Sequence, residues 1–151
     1  MKKREFFQYS CGTEKAKEKL DGVFDELREF EDKIADYGDN AFKFGKPDQI
    51  NKAVKDIEGI KILVGNMKHL WDHIKLCQDA FAGFMATKWI ETKPFEMEDE
   101  TKKLQKTLKE IKVEKKANAY IGILDDIKKW LVFLPLIAEL AEEAMRPRHW
   151  D

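Results

Sequence analysis

Three side chains with metal-binding chemistry recur at helical spacing in the middle of the chain: His69, His73 and Cys77. Steps of four residues place side chains on one face of an α-helix, so two imidazoles and a thiolate could reach one Zn²⁺ ion. A structural zinc site takes four ligands, and no fourth ligand is evident nearby. Cys77 also continues an apolar stripe. We therefore expect Cys77 to pack in the core, and we expect no metal ion.

The other candidate motifs argue against catalysis. The sequence contains no G-x-x-x-x-G-K-[ST] phosphate loop, no G-x-G-x-x-G after a strand and no G-x-S-x-G nucleophile elbow. The acidic run from Glu96 to Glu100 lacks the spacing and central glycine of a calcium loop and is typical of the first turn of a helix. We expect no catalytic residue and no cofactor in this chain.

Composition excludes two classes of partner. The 28 basic and 29 acidic side chains are interspersed and leave a formal net charge of −1, so the basic surface that nucleic-acid binding needs is absent. No stretch approaches the roughly 18 apolar residues of a membrane span. Cys11 and Cys77 are the two cysteines, and we expect free thiols in a reducing cytoplasm.

The chain is 38% charged and 43% apolar with few glycines and prolines, a composition typical of helical proteins. Helices must therefore position any functional side chains. A first helix is predicted from Thr13 to Tyr37, ended by Gly38. Its apolar stripe follows the alternating three- and four-residue steps of a bundle helix. The stripe consists of Ala16, Leu20, Val23, Leu27, Phe30, Ile34 and Tyr37.

A second helix is predicted from an N-cap at Asp48 to Trp89, with a break at Gly65-Asn66. The β-branched run from Ile60 to Val64 could be a strand. We reject that interpretation because no second strand lies nearby to pair its backbone groups.

Two more segments are predicted to complete the bundle. The third helix runs from about Glu98 to Lys112 with a thin apolar side. The fourth runs from Asn118 to Leu134, where Pro135 interrupts it, and a short helix follows from Leu136 to Met145. The prediction is an all-α fold, a single α-helical region over 1–151, built as an elongated antiparallel bundle of four to five helices.

The C-terminal residues indicate a contact surface. Trp150 lies beside charged residues at a place where no periodic stripe predicts burial, which is the composition of an interface anchor. A cap folding back onto the same bundle would use the same residues. The predicted interaction residues are Arg146, Arg148, His149 and Trp150.

The sequence LPLIAELAEEAMRPRHW, from Leu134 to Trp150, resembles the segment of dynein heavy chains in which the helical tail passes into the linker. Three upstream stretches resemble the family's preceding helices: Leu70-Trp71-Asp72 with Phe81, Phe84 and Trp89; Glu96 to Glu100 with Lys102-Lys103-Leu104; and Ala119-Tyr120 with Gly122 and Leu124. The pattern is closer to axonemal than to cytoplasmic heavy chains, although Ala117 stands where many axonemal members carry Trp. Residues 1–69 are only generically tail-like.

The resemblance implies that this chain is a non-catalytic mechanical segment of an ATP-hydrolysing microtubule motor. Residues 70–151 would be the start of the linker, which bends across a ring of AAA+ modules, and the tail would carry force to cargo or to an axonemal doublet. The implied partners are the remaining linker and ring of the same chain, and other dynein subunits. The implied location is the cytoplasm and cytoskeleton, in the axoneme of a cilium or flagellum. Arg146 to Trp150 would contact residues that follow Asp151.

Two other interpretations stay open. A free-standing spectrin-like or adaptor bundle would bind a protein partner through Trp150 and its arginines, and the natural chain would then stop near Asp151. An enzyme built on the face of His69, His73 and Cys77 would contain stoichiometric Zn²⁺ after purification.

Overall fold

The computed structural model of this protein describes residues 5–43, 47–88 and 91–140, with side chains for all of these except 39–43 and 47–49. Every regular element in these ranges is helical. Two short 3-10 turns, Glu5–Phe7 and Tyr9–Cys11, precede four α-helices. The α-helices are α1 (Thr13–Lys43), α2 (Pro47–Ala86), α3 (Pro94–Glu110) and α4 (Asn118–Leu140). The predicted all-α fold is confirmed.

Helices α1 and α2 form an antiparallel hairpin whose register is marked by cross-helix ion pairs. The pairs are Glu14–Lys75 at 2.8 Å, Lys17–Asp72 at 2.6 Å, Asp21–Lys68 at 2.6 Å and Glu31–Lys61 at 2.5 Å. Positions rise along α1 as they fall along α2, as flanking charge pairs do in coiled coils. Exposed ion pairs contribute little to stability, so the apolar seam between them must hold the hairpin together.

That seam contains only the first part of the predicted α1 stripe. Ala16, Leu20 and Leu27 are buried in one core with residues of α2. Phe30 and Tyr37, predicted on the same stripe, are 55% and 67% exposed. Along most of its length α1 packs against α2 alone, and one partner helix covers only a narrow strip of another.

Several predicted helix boundaries were wrong. Helix α1 continues through Gly38 to Lys43, α2 passes Gly65 without a break, and α4 passes through Pro135. An interior glycine costs only about 1 kcal/mol relative to alanine, and a proline removes one helical donor. Burial of Val64 and Met67 beside Gly65, and of Leu134 beside Pro135, offsets such costs.

The remaining boundaries differ by a few residues. Helix α2 starts at Pro47, so Asp48 lies inside its first turn, and α3 spans Pro94–Glu110. Proline suits the first turn of a helix, where its missing N–H has no partner to lose. Residues 60–64 are helical, which confirms the rejection of a strand. Helix α2 ends at Ala86, before the predicted end at Trp89, which lies outside the described residues. Of the short helix predicted from Leu136 to Met145, residues 136–140 belong to α4 and the rest lie outside the described residues.

Helices α3 and α4 form the second hairpin and pack mainly against each other. Leu104 and Leu108 of α3 share a core with Ile123 and Ile127 of α4. The buried Thr101 hydroxyl donates to the Met97 carbonyl at 2.7 Å and is therefore satisfied. The helices of the two hairpins contact each other less than the helices within each hairpin do, and one buried core runs through both hairpins. None of the helices described is long and apolar enough to cross a membrane.

Candidate functional site

The three candidate metal ligands differ in burial and in the groups that they contact. His73 is buried, and its Nε2–H donates to the Leu104 carbonyl of α3 at 2.9 Å. Cys77 is buried with its Sγ 3.6 Å from the same nitrogen, whereas His69 is exposed. Across 5–43, 47–88 and 91–140, no group of three or more His, Cys, Asp or Glu side chains is placed to hold a metal ion.

Burial favours the uncharged, less reactive forms of His73 and Cys77. It lowers the pKa of His73, and the hydrogen bond to Leu104 only partly opposes that shift. It also raises the pKa of Cys77 to about 12, so the thiol stays protonated at neutral pH. Both cysteines are free thiols, as expected. His73 therefore serves to connect α2 with α3, and the predicted core position of Cys77 is confirmed.

Residues Glu5–Cys11, which we call the N-terminal strap, are anchored first to the α1–α2 hairpin. The Phe6 side chain is 1% exposed, in the core shared by α1 and α2. Its carbonyl accepts a hydrogen bond from Nε1–H of the fully buried Trp71 at 2.8 Å. Glu5 also forms an ion pair with Lys19 of α1. A buried indole donor with a buried acceptor fixes this end of the strap.

The other end of the strap is docked on α4 through Tyr9. The Tyr9 N–H donates to Asn118 Oδ1 at 2.9 Å, and its hydroxyl donates to Asp126 Oδ2 at 2.6 Å. The Tyr9 ring lies directly on Gly122, where an added Cβ would come within 2.3 Å of the ring carbon Cγ. In contrast, a Cβ at Gly65 or Gly83 of α2 would meet nothing within 4 Å. Gly122 is therefore required by this contact and not by backbone geometry.

The environment of Tyr9 keeps its hydroxyl a donor. Burial and the hydrogen bond to Asp126 raise the pKa of Tyr9 to about 12. The phenol is therefore neutral at physiological pH, and the short bond to the carboxylate persists there.

A cluster of aromatic rings joins α2 to α4 at a second point. Phe81 stacks on Trp130 with ring centroids 5.1 Å apart, and Phe84 meets the same indole edge-on at 5.7 Å. Stacked and edge-on rings add to the stabilisation from burial. The strap and this cluster together define the junction between the two hairpins, which is the candidate functional site.

Sequence reasoning did not find the strap. The available signals were the aromatic residues of EFFQY (5–9) and a glycine inside the most apolar helix. The predicted interaction residues Arg146, Arg148, His149 and Trp150 lie outside the described residues and stay a prediction.

Residues 57–151, more than half of the chain, match the family model described as dynein heavy chain, N-terminal region 2. The chain belongs to the dynein heavy chain family. The resemblance noted in the sequence is thereby confirmed.

Individual dynein relatives match over most of this chain. The dynein alpha chain of the flagellar outer arm of Chlamydomonas reinhardtii is 31% identical over 99% of it. The ciliary dynein beta chain of Tripneustes gratilla is 30% identical over 87%, and dynein axonemal heavy chain 17 of Mus musculus is 29% identical over 56%. The chain spans only about 3% of the length of the first two relatives.

The dynein family model matches only one part of the junction. The matched range begins at Ile57, inside α2, and includes Trp71, Trp130 and Gly122. The strap and α1 precede that range, whereas the match to the dynein alpha chain extends over nearly the whole sequence. The junction thus combines a part that the family model covers with a part that precedes it.

Proposed function

We propose that this dynein heavy-chain segment is a non-catalytic mechanical element that joins the tail to the linker and carries force from an ATP-hydrolysing ring. Residues 1–69 would be the end of the tail, and 70–151 the start of the linker. Its partners would be the remaining linker and ring of the same chain, with other dynein subunits, in an axoneme. The match to the heavy-chain N-terminal region and the flagellar and ciliary names of the relatives support this proposal.

The observation that carries the proposal is the continuity of α2. This helix has 40 residues, about 60 Å at 1.5 Å per residue. The proposed boundary between positions 69 and 70 falls inside it, so both parts would share one rod. Force applied to the α1 end of this rod would reach α4 without crossing a flexible loop.

Packing around the middle of α2 makes that rod stiff. Leu70, Trp71 and Ile74 have no exposed surface, and they contribute to the core that contains residues of α1 and α4. Bending α2 here would separate close-packed side chains, and protein interiors deform little. A mechanical join needs that stiffness more than it needs a pocket.

A break in α2 tests the proposal in the full heavy chain. Gly65→Pro removes a helical donor and costs about 3 kcal/mol or more. We expect microtubule gliding to slow several-fold while ATP hydrolysis by the ring is retained. Gly65→Ala is the matched control, because a Cβ there meets nothing within 4 Å. Gliding at equal speed by the two variants would contradict force transmission through α2.

The exposed apolar side of α4 supports contact with a protein surface. Val132 is 71% exposed, and Phe133 and Leu136 lie beside it with about half of their surface exposed. Apolar patches of this kind mark interaction sites. In the mechanical proposal the rest of the heavy chain covers them, and in the adaptor alternative a separate protein does. Val132→Asp in the full heavy chain should slow gliding in the first case; in the second, the 151-residue chain should bind a separate protein that Val132→Asp releases.

A further inference from the structure

The N-terminal strap contacts both hairpins, and we propose that it is a releasable latch that holds them in one relative orientation. The proposal concerns the coupling of the two hairpins and does not depend on whether the segment transmits force. The helices of the two hairpins share one buried core but contact each other less than the helices within each hairpin do, so a segment that contacts both hairpins adds a further link. With the strap undocked, the buried core that the helices share, the α2–α4 aromatic cluster and the His73 bond would still link the hairpins.

The turn between the strap and α1 permits this arrangement. Gly12 has a φ of +81°, a conformation that side chains with a Cβ rarely adopt. The chain therefore reverses between Cys11 and Thr13, and the strap lies back across the core instead of extending α1. This places Phe6 against α2 and Tyr9 against α4 from one short segment.

The two ends of the strap differ in how easily they release. The Phe6 end is held by a buried side chain and a buried indole bond. The Tyr9 end is held by one exposed and one half-buried hydrogen bond, and by packing of its partly buried ring on Gly122. Water can replace hydrogen bonds at exposed positions at little cost, so the strap should undock from α4 first while Phe6 stays in the core.

Gly122 sets whether the latch can close. The ring of Tyr9 occupies the space that any side chain at this position would need. Gly122→Ala must therefore displace the ring, and with it both hydrogen bonds of Tyr9, while alanine itself favours helix α4. The substitution separates latch opening from loss of helix.

Nuclear magnetic resonance on the 151-residue chain tests the latch. In Gly122→Ala we expect the Tyr9 amide to exchange with solvent on the order of tenfold faster, equivalent to about 1.4 kcal/mol. Residual dipolar couplings should fit one alignment tensor for both hairpins in the wild type and two different tensors in the variant. Gly83→Ala is the control, since its Cβ would meet nothing within 4 Å; it should leave both readouts unchanged.

Two further variants keep the test decisive. Tyr9→Phe retains the ring on Gly122 and removes the bond to Asp126. The exchange rate of the backbone amide at position 9 should therefore lie between the rates in the wild type and in Gly122→Ala. If Gly122→Ala unfolds α4, Tyr9→Ala opens the latch without changing that helix and should also give two tensors. One common tensor in every folded variant, with exchange equal to that of Gly83→Ala, would overturn the proposal.

Discussion

Replacing Trp71 by phenylalanine should be among the most damaging conservative changes in this chain. The indole Nε1–H is the buried donor to the Phe6 carbonyl at 2.8 Å, so Trp71→Phe leaves that carbonyl without its partner, at a cost of about 1–3 kcal/mol. The smaller ring also leaves roughly 40 Å³ of cavity, which costs about 1 kcal/mol at ~24 cal/mol per Å³. Together these give about 3 kcal/mol, and for a chain of this size a melting temperature lower by roughly 6–12 °C.

Urea unfolding followed by circular dichroism measures this loss. Trp130→Phe is the matched control, because Trp130 is half-buried and stacks on Phe81. It should lose only about 1 kcal/mol. Equal losses in the two variants, or a loss below about 0.5 kcal/mol for Trp71→Phe, would refute the account of the strap's anchor.

The remaining predictions concern the α1 seam and two titratable groups, the buried His73 and the partly buried Tyr9. Leu27→Asp should cost several kcal/mol because it buries an unpaired charge, whereas Phe30→Asp should change stability by less than about 0.5 kcal/mol in urea unfolding; equal losses would contradict the exposure of Phe30. The lowered pKa of His73 means that the unfolded chain binds its proton first, so stability should fall as pH drops below about 6.5, and less steeply in His73→Gln. The pKa of Tyr9, raised to about 12, means that the unfolded chain loses its proton first. Stability should therefore fall as pH rises above about 10, and this part of the loss should be absent in Tyr9→Phe when unfolding is measured at pH 9 and 11.

The helical segments were predictable because their signal is local. Apolar residues three and four positions apart indicated α1 and α4, and that spacing reflects the helical repeat itself. The sequence predicted an antiparallel bundle, but the pairing of α1 with α2 and of α3 with α4 came only from the structure. The ends were less predictable: Gly38 and Pro135 weaken a helix, yet α1 and α4 continue past them, and beside Pro135 the burial of Leu134 offsets the cost.

The exposure of Phe30 shows that an apolar stripe on one helix does not predict burial at each of its positions. Heptad spacing places Phe30 and Leu27 on the same side of α1, yet only Leu27 is buried. Whether a position on the stripe is covered depends on how much of a second helix lies opposite it. That information is absent from the periodicity of α1.

The sequence by itself determined the all-α class and the amphipathic helices, since both depend on residue types at short, fixed spacings. Its resemblance to dynein heavy chains indicated the family. Tertiary structure alone decided the junction. Tyr9 is separated by 109 residues from Asn118 and by 117 from Asp126, and nothing in the local pattern around either end specifies the other. Gly122 illustrates the difference: in the sequence it is a weak point in an apolar helix, and in the fold it is the surface on which the Tyr9 ring rests. Such contacts arise only when packing brings distant segments together, because side-chain shape, and not helical periodicity, selects them.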